Sequence, residues 1–188
     1  MIKYSHIKFS YYIRGVDMDF LQLAKTRCSV RKYEPRKVEE DKLLKILEAG
    51  RIAPTGANKQ PQRFVVVKSN EGLEKLGRGA NIYGAPLAII ICADHAVTWK
   101  RPYDGKDIAD IDASIVTDHM MLQAEELGLS SVWVCYFEPK IIREEFNLAE
   151  DIEPVNILVI GYAAGEKASP DRHDKVRKAL KELIIYED

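Results

Sequence analysis

The chain has 188 residues, 46% of them hydrophobic and 30% charged, which is enough apolar material to bury a core beneath a solvated surface. Twenty-eight Lys and Arg against 29 Asp and Glu leave a net charge of -1, without the basic excess of a protein that binds nucleic acid by neutralising phosphates. Three scattered cysteines, Cys28, Cys92 and Cys135, do not make a disulfide scaffold and point to a reduced, cytoplasmic chain. The first residues carry no secretory signal, and no apolar run approaches the ~20 residues of a membrane span. The expected protein is soluble, with neither a membrane nor a nucleic acid as partner.

Residues 1–17 lack periodicity and read as an N-terminal extension, either flexible or forming a short strand over 7–13. The body, residues 18–188, reads as a single domain. Phe20, Leu21, Leu23 and Ala24 give a short helix that runs into Arg27-Cys28-Ser29-Val30-Arg31, an extended or irregular segment. A helix over about 39–50 carries the stripe Leu43, Leu44, Ile46 and Leu47, with acidic residues at its positive N-terminal end. A turn-rich loop follows at Ala53–Asn58, then a strand at 64–68 and a short helix at 71–76. The run Pro86–Ala93 does not alternate, as in a strand covered on both faces. After a long loop, 94–107, the longest helix spans about 108–127 and is apolar around most of its circumference. A strand at 132–137, a helix at 140–146 and a strand at 155–163 complete the body. The tail offers a charged helix from about Lys175 and a β-prone stretch, Leu183–Tyr186. Alternating helices and strands give an α/β or α+β class.

Several kinds of chemistry are excluded by spacing. Four histidines show neither HxH nor HExxH spacing and form no set of paired His and Cys ligands, so no metal site is expected. No Gly-x-Ser-x-Gly elbow is present. Gly77–Gly84 imitates a dinucleotide fingerprint but follows a helix and has isoleucine at the sixth place. Asp107, Asp110 and Asp112 read as carboxylates that favour the start of the long helix through its dipole. Cys135 reads as an inert thiol in an apolar strand.

Three segments carry polar ligand chemistry. In extended chain, Arg27, Ser29 and Arg31 fall on one side, with Cys28 and Val30 on the other. Two guanidinium forks and a hydroxyl suit a phosphate, because each fork makes paired, charge-assisted hydrogen bonds. Pro54-Thr55-Gly56-Ala57-Asn58-Lys59-Gln60-Pro61 offers amide and hydroxyl groups, with a glycine that permits close backbone approach to a flat polar ligand. Glu126–Val134 is a helix–glycine–strand junction.

In this order and spacing the three segments resemble the nitroreductase family of FMN-dependent NAD(P)H oxidoreductases. The matching patterns are R-x-S-x-R at Arg27–Arg31, P-T-x-x-N-x-Q-P at Pro54–Pro61, A-x-x-L-G-L-x-S-x-W at Ala124–Trp133, and the strand end Gly161-Tyr162. Two positions depart from the pattern: Ser130 stands where a second glycine is usual, and Gln62 where an aromatic often follows. The resemblance implies a three-layer α+β fold, a mainly antiparallel central sheet flanked by helices, in an intertwined homodimer. It implies that FMN is held by Arg27, Cys28, Ser29 and Arg31 at its phosphate and ribityl chain, with Arg172 as a further cation. Pro54, Thr55, Gly56, Asn58 and Gln60 would reach the flavin of the second subunit. Asn81, Cys135 and Tyr136 would border the ring, and the loop 94–107, with Trp99 and Tyr103, would shape the substrate pocket. No side chain is then catalytic. The flavin takes hydride from NADH or NADPH and passes electrons, in a ping-pong scheme, to a small acceptor such as a nitroaromatic, a quinone or another flavin. The alternatives are a dehalogenating, dehydrogenating or flavin-destroying member of the same family, and an FMN-binding module without turnover.

Overall fold

The computed structural model describes residues 19–187. The expected extension, its strand over 7–13 and the start of the body at Met18 lie outside these residues. Four stretches rich in β-branched residues form one sheet: β1 (Gln62–Val67), β2 (Leu87–Asp94), β3 (Ser130–Val134) and β4 (Ile152–Gly161), in the order β1-β2-β4-β3. Every neighbouring pair is antiparallel, with Val65 opposite Ile90, Ile90 opposite Ile157, and Trp133 opposite Leu158.

The sheet explains why β2 does not alternate. Leu87, Ile89 and Ile91 face one apolar cluster, and Ala88, Ile90 and Cys92 face a second, so both sides of the strand are covered. The first cluster is closed by α2 (Glu40–Ile52) and α4 (Ala109–Glu126), through Leu43, Ile46, Val116 and Met120. The second is closed by α3 (Asn70–Gly79) and α5 (Pro139–Glu145), through Leu76 and Ile142. The result is the expected three-layer α+β architecture. On α4 the buried residues 109, 112, 113, 116, 117, 120, 121 and 124 recur at helical spacing and form its sheet-facing side.

Capping follows the local chemistry. The N–H of Gln22 donates to the Asp19 carboxylate ahead of α1 (Phe20–Thr26), and that of Gly72 to the Ser69 hydroxyl ahead of α3. At the other end of the first layer, Lys42 Nζ donates to the last-turn carbonyl of Leu127 at 3.0 Å and to the Tyr162 hydroxyl at 2.9 Å. That hydroxyl donates to Glu39 at 2.6 Å. Tyr162, Glu39's own backbone and Arg36 hold the Glu39 carboxyl at about 2. The Gly161-Tyr162 strand end thus fastens α2 to the sheet.

Three expectations need correction. β3 stops at Val134, where its pairing with Ile157 ends, so Cys135 is an exposed residue beyond the strand rather than a buried one within it. The inert buried thiol is that of Cys92, which burial pushes up to about 12. The β-prone residues Leu183–Tyr186 form no strand: after α6 (Arg172–Val176) and a 3-10 turn at Leu180–Glu182, this end of the chain finds no strand partner within the described residues. The charged helix begins at Arg172, before Lys175, and spans only five residues. No described helix is long and apolar enough to cross a membrane.

Candidate functional site

After α1 the chain crosses the open edge of β3. Ser29 forms a parallel bridge with Ser131, and the N–H of Val30 donates to the Ser131 carbonyl at 3.0 Å. This crossing settles which side chains face outward. Cys28 is buried and Val30 packs against the second apolar cluster, while Ser29 and Arg31 are exposed and Arg27 is half-buried. The side-chain donors of Arg27, Ser29 and Arg31 make no hydrogen bond or ion pair with a described residue. Two guanidinium groups and a hydroxyl within five residues, all uncommitted, are a donor set that fits a dianionic phosphate. The Cys28 side chain, turned inward, leaves only its backbone to contribute.

Arg172 plays a different part from the one expected of it. Its Nη2 donates to the Arg27 carbonyl at 2.5 Å, and its Nη1 to the carbonyls of Lys25 and Ser169 at 3.2 and 2.9 Å. It ties the C-terminal tail to the end of α1, stiffening the segment that carries Arg27.

Near Arg31 lies a cavity of about 470 Å³ lined by residues 77–84 and 136–138. Ala80 bridges Phe137, and the Glu138 N–H donates to the Gly79 carbonyl at 2.8 Å, so the two walls are joined by backbone. Asn81 and Tyr136 both belong to this cavity, and Tyr136 is 95% exposed. Cys135 does not line it; it opens instead on a second cavity of about 390 Å³, with Trp133, Ser114 and Asn156. Arg31 links the segment to the first cavity, its guanidinium lying 5.9 Å from the ring of Tyr83, another lining residue. The sequence offered no reason to single out Tyr83.

The loop Pro54–Gln60 sits at the opposite end of the first layer, over the start of α4. Ala57, Asn58 and Gln60 all take positive φ, at 48°, 54° and 52°, a run of left-handed conformations that non-glycine residues rarely adopt. Inside the loop, the Gln60 N–H donates to the Thr55 hydroxyl at 3.0 Å. At its base the Gly56 N–H donates to Asp112 Oδ1 at 2.9 Å. A side chain on Gly56 would place its Cβ 2.2 Å from Ile108 Cδ1 and 3.3 Å from Trp99 Cβ, so a larger residue here would have to displace the end of the Ile108 side chain. Pro54, Asn58 and Gln60 are exposed. They line neither of the two cavities described above.

The loop 94–107 touches that same base through Trp99, whose Cβ would lie 3.3 Å from a Cβ on Gly56. Tyr103 at its tip is 97% exposed. His95 fastens the loop: its Nδ1 is 3.1 Å from Asp107 Oδ2 and its Nε2 is 2.5 Å from Glu153 Oε2. Asp107 also accepts from Thr98 and from the Ala109 N–H that opens α4. Burial alone would raise the Asp107 carboxyl, but these hydrogen bonds outweigh it and hold it below the ordinary range. Hydrogen bonds to Asp107 and then to Glu153 push the imidazole up. The clamp is therefore complete below the ordinary histidine value of about 6.5 and is lost as pH rises through the raised folded-state value. We expect the fluorescence of Trp99 to change with pH in that window. The change should be absent in His95→Gln, and a wild-type titration indistinguishable from that variant's would contradict the clamp.

Sequence reasoning missed Asp112. It was grouped with Asp107 and Asp110 as a carboxylate serving the helix dipole, but it is 1% exposed and faces the loop base. The one signal was its spacing, in register with Ala109, Ala113 and Val116 on the apolar face of α4. Among the described residues no group of three or more metal-binding side chains converges.

The profile of the nitroreductase family matches residues 24–78 and 72–162. A nitroreductase family protein from Clostridium difficile 630, of known crystal structure, is 58% identical, with a TM-score of 0.89 over 91% of this chain and 99% of its own. An FMN-dependent nitroreductase from Clostridium difficile R20291 is 30% identical, with a TM-score of 0.74 over 90% of this chain and 99% of its own. A protein of Methanothermobacter thermautotrophicus, assigned as an NADH dehydrogenase/NAD(P)H nitroreductase, is 34% identical in an alignment of 187 positions that covers 92% of this chain and 93% of its own. Sequence pattern, sheet order and these likenesses agree: the chain belongs to the nitroreductase family.

Proposed function

We propose that the protein is an FMN-dependent oxidoreductase that takes electrons from NADH or NADPH and reduces small acceptors of the nitroaromatic, quinone or flavin class. The observation that carries this reading is the uncommitted donor set of Arg27, Ser29 and Arg31 beside the cavity of Asn81 and Tyr136. A phosphate on the arginines leaves a flat ring system within reach of that cavity. When bound, FMN supplies the two-electron chemistry, in a ping-pong scheme in which donor and acceptor use the same face in turn. The protein's part is to bind, orient and exclude water. Arg27 and Arg31 hold the phosphate by charge-assisted hydrogen bonds, Ser29 adds a hydroxyl, and the exposed backbone at 135–136 offers N–H groups toward the ring edge, where negative charge develops.

The site is completed by a second copy of the chain. Pro54–Gln60 presents Asn58 and Gln60 at the surface. Phe20, Leu21, Leu44 and Ile52, 59–70% exposed, make an apolar face on α1 and α2 beside grooves lined by Leu122, Gln123 and Glu126 of α4. Leu180, Leu183, Ile185 and Tyr186 of the tail are equally uncovered. Apolar area of this extent supports a dimer.

A visible spectrum of the purified protein tests the reading. Flavin absorption that bleaches anaerobically on adding NADH or NADPH is the expected result. Flavin that no nicotinamide reduces would leave a binding module, and protein that cannot be loaded with FMN would overturn the flavin assignment.

A further inference from the structure

A carboxylate inside an apolar layer is costly unless both its oxygens find donors. Asp112 is 1% exposed, lies one turn into α4 and packs where Ala109, Ala113 and Val116 face the core. Its Oδ1 accepts the Gly56 N–H at 2.9 Å, and its Oδ2 is buried with no partner among the described residues. Burial pushes its carboxyl upward, the Gly56 bond works against that, and Asp107 adds a like charge. For packing alone, an apolar side chain of the same volume would serve this position better. What the aspartate provides is an acceptor aimed at one backbone amide.

That amide stands at the base of a strained loop. Beyond Gly56 come the three left-handed residues Ala57, Asn58 and Gln60, each of which costs free energy and persists only where the surroundings impose it. Within the loop the restraints are short-range: Asn58 N–H to the Thr55 carbonyl, Lys59 N–H to the Gly56 carbonyl, and Gln60 N–H to the Thr55 hydroxyl. At the far end the Arg63 guanidinium donates to the Gln60 carbonyl at 3.1 Å, but Arg63 is exposed and is also paired with Asp94. Among the described residues, the Asp112–Gly56 bond is the polar restraint from the body to the loop whose acceptor side chain is itself buried.

We propose that Asp112 is a positioning residue: by accepting the Gly56 N–H it fixes the left-handed course of Pro54–Gln60, and so the direction in which Asn58 and Gln60 are presented to the cofactor site of the second subunit. This rests on the reading of that loop as part of an FMN site. The anchoring itself is a property of this chain alone, so it can be measured without flavin.

The test compares Asp112→Leu, which removes the acceptor and keeps the branching at Cγ, with Asp112→Asn, which keeps an Oδ1 for the same N–H. In the purified full-length protein, amide exchange over residues 55–60 should quicken by about ten-fold in Asp112→Leu, as expected for one lost hydrogen bond to a charged group, while the slow amides of α4 stay as in wild type. The dissociation constant for FMN, followed by quenching of flavin fluorescence, should rise by a similar factor. Asp112→Asn should keep both within about three-fold of wild type. Unchanged exchange over 55–60 in Asp112→Leu, or an Asp112→Asn as loose as Asp112→Leu, would overturn the proposal. If Asp112→Leu does not fold, Asp112→Ala takes its place under the same criteria. Loss of the fold in both, with Asp112→Asn intact, would assign the residue to folding alone and would also overturn it. A wild type that binds no FMN refutes the flavin reading, and the exchange arm still decides the anchor.

Discussion

Replacing Arg27 and Arg31 together by alanine is expected to abolish FMN retention through purification and to leave the fold intact. Neither guanidinium group supports the structure: among the described residues neither makes an ion pair or donates a hydrogen bond, and the crossing of β3 depends on backbone bonds at Val30 and Ser131. Hydrogen bonds to a charged group contribute roughly 1.5–3 kcal/mol each, so losing both forks should cost on the order of 4 kcal/mol, about a thousand-fold in dissociation constant. Each single variant should lose less. Flavin content per chain, read from the ratio of visible to ultraviolet absorbance, is the measurement, with circular dichroism as the control for folding. Stoichiometric flavin in the double variant would refute the phosphate assignment. Arg172→Ala is a useful contrast, because that side chain braces carbonyls of α1 and its loss should act through the order of the segment.

The second large effect is one of packing. A Cβ on Gly161 would lie 2.9 Å from Pro86 Cδ and 2.9 Å from Tyr33 Cδ1, both atoms of rings. Tyr33 cannot swing aside freely, since its hydroxyl donates to the Val30 carbonyl at 2.8 Å. Burial drives the Tyr33 phenol pKa far up, so that hydroxyl stays protonated and keeps donating. Gly161→Val should therefore destabilise the protein by about 3 kcal/mol through overpacking, with a fall in melting temperature of about 10 °C. Chemical denaturation would check it. A variant within about 0.5 kcal/mol of wild type would show that the end of β4 yields more easily than its neighbours suggest.

These two positions also show what could be read before the fold was known. The R-x-S-x-R pattern required only that an extended segment alternate, and the crossing of β3 delivers that alternation. The uninterrupted run in β2 announced its two covered faces, because no half-exposed strand tolerates seven apolar residues in a row. Gly161-Tyr162 was legible only as part of a family pattern. Its physical cause, a contact with Pro86 and Tyr33, joins residues far apart in sequence, and no local rule contains it. Asp112 failed for a related reason: a carboxylate near a helix start has an ordinary explanation, and only the position of Gly56 against the helix displaces it. Cys135 was misjudged because strand propensity runs on through Cys-Tyr-Phe, whereas the ladder ends at Val134–Ile157, next to the irregularity at Val155 where β4 shifts register against β2. The tail shows the same limit, since Leu183–Tyr186 has strand composition but finds no strand partner among the described residues.

The correction at Cys135 has a practical side. All three thiols are free; two are buried, and Cys135 alone is exposed, next in sequence to Tyr136 and the candidate ring cavity. Under native conditions an alkylating dye should therefore modify a single sulfur without any engineering. A probe attached there, on the second cavity and one residue from the wall of the first, would report cofactor arrival and departure from beside the site, and the yield of labelling would itself measure how far bound ligand or a second subunit shields that surface.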